Sequence, residues 1–493
     1  MWLGHGLWFM SCSTLHPHGI LLVYRVKASR TGAIPGQGRG APGAGAGRLG
    51  RGARRDAGLE IGGAPICAKL QAVDYEFTTL SNGLRVATAS MPHMRSVSVA
   101  LYLGVGSRYE PARLNGICHF IEHLLFKGTR KRSARQISQA VEGIGGALNA
   151  FTSEEVTCFH ARACAAHLPL LLDVLMDMLL GSRFDPADVA KEREVIKEEI
   201  SMYWDEPQHL VQEAFNALLW PDQPLGRPIT GTAESLDAIG RGELVNYLRG
   251  NYVAASAVVV AAGRVTHRQV LRAASRFVPR FPRGPRPRFE LSRNHQTAPR
   301  VRLITRQNEQ TQMALGFRTC SRYDERRYAL RVLNTILGEN MSSRLFQVVR
   351  EERGLTYSIY SNPSFFADTG DLVIAAGLDT DKLPRALRLI LSEVRRLKNQ
   401  PVSAAELRRA RDYLLGQLEL AQESTESQMN WTGDHLLSYN RVPRPAEMKR
   451  HITRVTAAQI MAAARDFFRP ERLNLALVSP LKTAASITAC LRV

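Results

Sequence analysis

Tyr252-Val-Ala-Ala-Ser-Ala-Val-Val-Val-Ala-Ala-Gly263 reads as a strand centred on 256–262, and its pattern returns as Phe468-Arg-Pro-Glu-Arg-Leu-Asn-Leu-Ala-Leu-Val-Ser479. The offset between the two, 216 residues, is the length of one domain, so the chain is expected to fold as a repeated unit. The elements before each copy follow a common order. In the first half, 79–89 reads as two strands around Ser81-Asn82-Gly83, because Asn-Gly supplies the positive φ of a tight hairpin. A strand follows over 96–104, then helices over 116–127 and 134–144, two strands within 147–163, and an apolar helix over 167–180. Asp185-Pro186 is a helix start, with Asp as cap and Pro at the first position, and the acidic helix it opens runs to about Trp204. More helix is expected over 211–220.

The second half repeats this sequence of elements. It predicts strands over 301–317, a helix over 328–337, strands over 357–377, and helices over 383–397 and 404–422. The fold class expected is α+β: a tandem duplication of two similar domains, each an antiparallel-rich sheet with helices covering one face. The first domain is placed at 73–278 and the second at 300–493. Between them 279–299, rich in Pro and Arg, reads as a linker. Residues 1–72, dominated by Gly, Ala, Arg and Pro from Arg30 to Pro65, carry no period that could bury a face and read as a disordered leader or a misplaced start.

With 493 residues, 45% apolar and 22% charged, the bulk of the chain has the composition of a globular protein. The formal charge of +20 raises the question of nucleic acid. Nine Lys/Arg against two Asp/Glu in 1–72 give +7, and the other +13 is spread thinly over the rest, so no nucleic-acid partner is expected. Seven cysteines, odd in number and without a CxxC pair, suit neither a disulfide framework nor a thiolate zinc site. Reduced thiols are the simpler expectation. No apolar run reaches the ~18 residues of a spanning helix, so no membrane span is expected.

Chemistry concentrates in His119-Phe-Ile-Glu122-His123. Spacings of three and four put these three polar residues on one helical face, where two imidazoles can share a metal with a carboxylate beside them. The surrounding residues are apolar, Ile117, Cys118, Phe120, Ile121, Leu124 and Leu125 among them, so an uncompensated cluster would be costly to bury. Zinc suits His nitrogen and carboxylate oxygen in a tetrahedral site with one position open. A third ligand is required from the acidic helix, Glu192-Arg-Glu-Val-Ile-Lys-Glu198-Glu199. Glu192 and Glu199 lie two turns apart on one face. Spacing does not choose between Glu198 and Glu199, whose directions differ by ~100°, though only Glu199 shares the face of Glu192. Cys118 is read as core packing, since its direction on the helix turns it from the metal.

His119-Phe-Ile-Glu-His123 is the inverted zinc-peptidase motif. With Arg108-Tyr-Glu, Asn115-Gly and Phe126-Lys-Gly-Thr129 it resembles the catalytic region of the pitrilysin family, the processing-peptidase branch above all. The resemblance runs from about Val73 to the C-terminus. It implies Glu199 as third ligand, one Zn2+ per chain, Glu122 activating water, and Glu192 orienting a ligand. Gly145-Gly-Ala-Leu-Asn149-Ala150-Phe-Thr152 resembles the strand that pairs with the substrate backbone. Arg350-Glu-Glu-Arg-Gly-Leu-Thr-Tyr357, after Ser342-Ser-Arg-Leu-Phe346, resembles the Arg/Tyr pair that steadies the scissile carbonyl. The function implied is a zinc metalloendopeptidase acting on peptides or unfolded segments in an enclosed chamber, as a homodimer or a heterodimer with a related subunit. A non-catalytic partner subunit of the same fold is the alternative. A bacterial cytoplasm is the first expectation for its location and a mitochondrial matrix the second.

Overall fold

The hairpin forms where Asn82-Gly83 demands it: Gly83 sits at φ +91°, and Asn82 Oδ1 accepts from the Leu84 backbone at 3.1 Å. Strands β1 (Asp74–Thr79) and β2 (Arg85–Ser90) pair antiparallel across it, Thr79 opposite Arg85. This computed structural model describes residues 73–491, and the expected leader over 1–72 lies outside them. Strands β3 (Ser96–Leu103), β4 (Ala147–Thr152), β5 (Thr157–Cys164) and β6 (Ala257–Gly263) complete a sheet ordered β1-β2-β6-β3-β5-β4. A second sheet, from β7 (Arg300–Thr305), β8 (Thr311–Thr319), β9 (Thr356–Phe365), β10 (Gly370–Leu378) and β11 (Leu473–Ser479), runs β7-β11-β8-β10-β9.

The two copies of the repeated pattern take the same place. Strand β6 pairs parallel with β2 and antiparallel with β3. Strand β11 pairs parallel with β7 and antiparallel with β8. Both are buried along their whole length.

Between the strands of the first half run α1 (Ile117–Leu125), α2 (Ala134–Glu142), α3 (Leu168–Gly181), α4 (Pro186–Asp205) and α5 (Pro207–Leu219). Pro186 stands at the first helical position of α4 as expected, but Asp185 makes no side-chain cap. Its carboxylate lies 3.0 Å from Arg183 instead, a cation the cap reading did not weigh. In the second half the helix expected over 328–337 is α-helical over Arg326–Asn334 and then widens to a π-turn over Thr335–Glu339.

Helices cover both faces of each sheet rather than one, through an exchange. Helix α5 of the first half packs on β8 and β11 of the second sheet. Its Leu210, Val211 and Phe215, with Trp220 just past its end, form one apolar cluster with Ala314, Val373, Ala476 and Val478. The helix Thr425–Tyr439 of the second half lies in turn on β2, β3 and β6 of the first sheet, where Met429 and Leu436 meet Ala100, Tyr102, Val258 and Val260. Each buried Leu, Val or Phe contributes roughly 1.5–3 kcal/mol, so the exchange ties the halves together by their cores.

An ion cluster adds a second tie. Arg108, 1% exposed, meets Glu155 and Asp368 at 2.6 Å each, and Arg322 also pairs with Glu155. The segment 282–297 has no helix or strand, yet it is held: Ala254 donates to Pro282 at 2.8 Å, Ser292 to Asp368 at 2.7 Å, and Phe289 lies 4.0 Å under the Arg108 guanidinium. Among the described residues Cys118, Cys158, Cys164, Cys320 and Cys490 are free thiols. No helix of the described chain is long and apolar enough to cross a membrane.

Candidate metal centre

Helix α1 begins at Gly116, whose φ of +92° only glycine adopts readily. Its open N–H groups are met by a buried carboxylate: Glu110 accepts from the Gly116 backbone at 2.7 Å and the Cys118 backbone at 2.9 Å. The helix thus starts in a fixed phase. His119 and Glu122 point inward at 7% exposure each, with His123 on the same side. The rings of His119 and His123 stand 4.6 Å apart.

Helix α4 brings Glu199 to both. Its Oε2 lies 3.8 Å from Nε2 of His119 and 3.6 Å from Nε2 of His123, and Glu198 is exposed. One donor atom from each of His119, His123 and Glu199 lies within 4.8 Å of the others, the group among the described residues with metal-ligand character. Tetrahedral ligands ~2.0–2.1 Å from a zinc ion stand about 3.3 Å apart, a few tenths of an ångström closer than the two pairs here. Nε2 of His123 is buried with no hydrogen-bond partner, which a bound cation would relieve. Burial, with His123 beside it, pushes the His119 imidazole well below its usual range, so it is neutral and its lone pair is available. The donor set therefore fits a divalent ion.

Neighbouring groups orient this set. Glu192 places Oε2 3.3 Å from Nδ1 of His123, and Lys127 sits 2.7 Å from its other oxygen. Burial pushes the Glu192 carboxyl up, but the hydrogen bonds of His123 and Lys127 outweigh it and hold the group below the usual range. Tyr203, one turn beyond Glu199, donates to its Oε1 at 2.7 Å. Thr152 at the end of β4 donates to Glu122 at 2.5 Å. Burial raises the Glu122 carboxyl to about 7, against the pull of Thr152 and His123. Cys118 is fully buried, its thiol 3.5 Å from the Tyr247 hydroxyl.

Sequence reasoning quoted Lys127 and Thr152 within motifs but gave them no role at the centre, and passed over Tyr203. Tyr203 carried a signal, standing four residues after Glu199 on the same helical face. A threonine closing a strand carried none.

Asn149 and Ala150 lie on β4, the edge strand that pairs only with β5. Asn149 is exposed and turns its own Oδ1 back to the Ala150 backbone at 2.8 Å. Arg350 and Tyr357 meet each other: the guanidinium is 5.0 Å from the Tyr357 ring and 4.5 Å from that of Phe346. Tyr357 is 79% exposed at the start of β9, the edge of the second sheet. Among the described residues no hydrogen bond, ion pair or ring contact joins Arg350 or Tyr357 to the histidines.

Residues 85–233 match the insulinase model of peptidase family M16, and residues 238–414 match the peptidase M16 inactive domain. The chain belongs to peptidase family M16. Curated relatives named uncharacterized zinc proteases include one of Streptomyces coelicolor, 40% identical over 82% of this chain and 89% of its own. A second, of Mycobacterium tuberculosis, is 38% identical over 84% and 95%. A third, of Bacillus subtilis, is 36% identical over 82% and 97%. The M16 fold is shared with a protease from Helicobacter pylori, with a TM-score of 0.78 and 20% identity over 83% of this chain and all of that one. It is shared too with a structure titled peptidase M16 inactive domain from Pseudomonas fluorescens, TM-score 0.77 and 19% identity over 83% and 99%. In this M16 chain the metal-ligand group falls within the insulinase match, and Arg350 and Tyr357 within the other.

Proposed function

We propose that this chain is a zinc-dependent metalloendopeptidase, on the observation that His119, His123 and Glu199 converge beside a buried Glu122. The two imidazoles and the Glu199 carboxylate hold one Zn2+. Such an ion polarises a peptide carbonyl and acidifies water toward ~7. Glu122 takes the proton from the attacking water and gives it to the leaving nitrogen. Its hydrogen bond from Thr152 fixes the carboxylate for that transfer, and Glu192 fixes the ring of His123.

The substrate is a peptide or an unfolded segment. It adds as a strand to the open edge of β4, with the backbone at Asn149 and Ala150 as its partner. Arg350 and Tyr357 steady the developing oxyanion. Neither touches the histidines among the described residues, and in this reading they act across a dimer that encloses a chamber, whether two copies or a copy with a related subunit. A bacterial cytoplasm is the compartment that suits this reading. The rival, a non-catalytic partner subunit, is disfavoured because His119, Glu122, His123 and Glu199 are all present.

Zinc content and cleavage of a quenched fluorescent peptide library, for wild type and Glu122→Gln, test the proposal. One zinc in each, with cleavage by the wild type alone, is expected. A well-folded wild type that binds no zinc would overturn it. Mixing Glu122→Gln with Tyr357→Phe tests the dimer: recovered activity means the two lesions complement in trans, and silence in confirmed mixed dimers sinks that arrangement.

A further inference from the structure

Away from the metal-ligand group, a cavity of about 120 Å³ opens in the second half of the chain. Its aromatic wall comes from one face of the helix Thr425–Tyr439, where Trp431, His435 and Tyr439 follow at four-residue steps. The Trp431 and His435 rings lie 4.1 Å apart and those of His435 and Tyr439 5.5 Å. Phe365, Leu418, Met448 and Ile452 supply apolar surface. The scale is that of a single six-membered ring: an apolar cavity of ~150 Å³ holds benzene.

The charged lining is all of one sign. Arg322, Arg327, Arg331 and Arg441 line the cavity, and no Asp or Glu does. Two are neutralised from outside it, Arg331 by Glu339 at 2.6 Å and Arg441 by both oxygens of Glu447. Arg322, 7% exposed, spends its terminal nitrogens on Glu155 and Ser438, which leaves its Nε buried without a hydrogen-bond partner. Arg327 differs from the others. Its nearest carboxylate is that of Glu325 at 3.9 Å, 74% exposed and worth little. Its guanidinium lies 4.3 Å over the Tyr328 ring and 5.7 Å from that of Tyr439. Its terminal nitrogens donate only to neutral oxygens, the Tyr328 hydroxyl at 2.7 Å and the Asp324 carbonyl at 3.3 Å, which leaves its charge without a close carboxylate. A flat cation held between rings at the edge of an aromatic cavity is a receptor for a planar acid.

We propose that this cavity binds one aromatic ring carrying a carboxylate, the ring against Trp431, His435 and Tyr439 and the acid on Arg327. Arg322, whose Nε is buried and whose terminal nitrogens are spent, adds only its positive charge to the wall. The same chemistry has two sources, a free aromatic acid or a peptide ending in an aromatic residue. Either would bind apart from the metal-ligand group, so the site is independent of the peptidase reading.

Titration of the full-length, zinc-loaded protein with 4-fluorophenylacetate, followed by fluorine NMR, tests this. The uncharged 4-fluorophenylacetamide is the control for charge, and Gly-Gly-4-fluorophenylalanine represents the peptide source. Saturable binding of one acid per chain is expected, at least tenfold tighter than the amide. Arg327→Met should weaken the acid at least tenfold and the amide less than twofold, and Leu418→Trp should block both by filling the cavity. Should Leu418→Trp fail to fold, the difference between acid and amide in Arg327→Met decides alone. A tripeptide that binds more tightly than the free acid identifies peptide C-termini as the source, and the reverse order identifies small aromatic acids. No saturable binding, equal binding of acid and amide, or full-strength binding in Arg327→Met overturns the proposal, the last because it would place the acid at the metal instead.

Discussion

Glu192 Oε2 stands 3.3 Å from Nδ1 of His123, although the two residues come from different helices. The contact fixes which ring nitrogen is left for Glu199, 3.6 Å away on the other side of the imidazole. Lys127 holds the second Glu192 oxygen, so the carboxylate cannot swing away. Orienting partners of this kind are worth roughly 10–100-fold in metal affinity. Glu192→Ala is therefore expected to weaken zinc binding by about that factor with an unchanged circular dichroism spectrum, as read by competition with a chromogenic chelator. An affinity within twofold of wild type would refute the orienting role.

The carboxylate that starts α1 makes the fold sensitive to pH. Glu110 is fully enclosed and its pKa rises from 4.5 to about 7: burial drives it up, while bonds from Cys118, Asn115 and Gly116 restrain it. The folded chain thus holds this proton to higher pH than the unfolded chain does. Its contribution to stability is fully present below about 4.5 and is lost as pH rises through about 7, on the order of 3 kcal/mol by linkage. Urea midpoints of wild type and Glu110→Gln, compared at pH 5 and pH 8, should show a steeper fall for the wild type. Parallel pH profiles would contradict the burial argument.

The sequence told most where a residue's neighbours are its own helix. His119, Glu122 and His123 share a face by spacing alone. Spacing left Glu198 and Glu199 open, though only Glu199 shared the face of Glu192; in the fold Glu198 is exposed and Glu199 faces the two histidines. The repeated strand was equally legible, since β6 and β11 hold equivalent places in their sheets. What stayed hidden depended on which surface a face would find. The apolar side of α5 announced burial, but nothing in Leu210, Val211 or Phe215 says that the partner is the other half's sheet. Arg108 and Asp368, 260 residues apart, likewise meet only once that exchange has brought the halves together.

That meeting makes Glu155 a vulnerable point. It accepts from Arg108 at 2.6 Å, from Arg322, and from the Ala367 backbone at 3.1 Å. Removing one partner of a buried pair strands the other charge, at about 3–5 kcal/mol. Glu155→Ala takes the paired carboxylate from Arg322 and leaves Arg108 with Asp368 alone, and should lower the denaturant midpoint by an amount in that range. Asp368→Ala, whose side chain is 19% exposed, should cost less. Equal losses in the two variants would mean that burial does not set the cost here.

Gly433 tests the helix exchange itself. A Cβ there would come within 3.0 Å of the Tyr102 ring, closer than real Cβ contacts. Tyr102 has little room to retreat, being 2% exposed, edge-on to Phe151 at 6.5 Å and bonded through its hydroxyl to Asn430 at 2.6 Å. Overpacking of this kind costs about 1–3 kcal/mol, against about 1 kcal/mol gained when alanine replaces glycine within a helix. Gly433→Ala should therefore destabilise the protein on balance. Gly416, on the helix Ala404–Leu420, has open space where an alanine methyl would stand, with nothing within 4 Å, so Gly416→Ala should gain up to about 1 kcal/mol. The pair separates the clash from helix propensity, because both substitutions change the propensity alike. Adding Tyr102→Leu to Gly433→Ala should recover part of the loss as a favourable coupling energy, since the smaller side chain vacates the space the methyl needs. If Gly433→Ala instead stabilises as much as Gly416→Ala, the helix does not press on β3 as closely as the approach of Gly433 to Tyr102 requires.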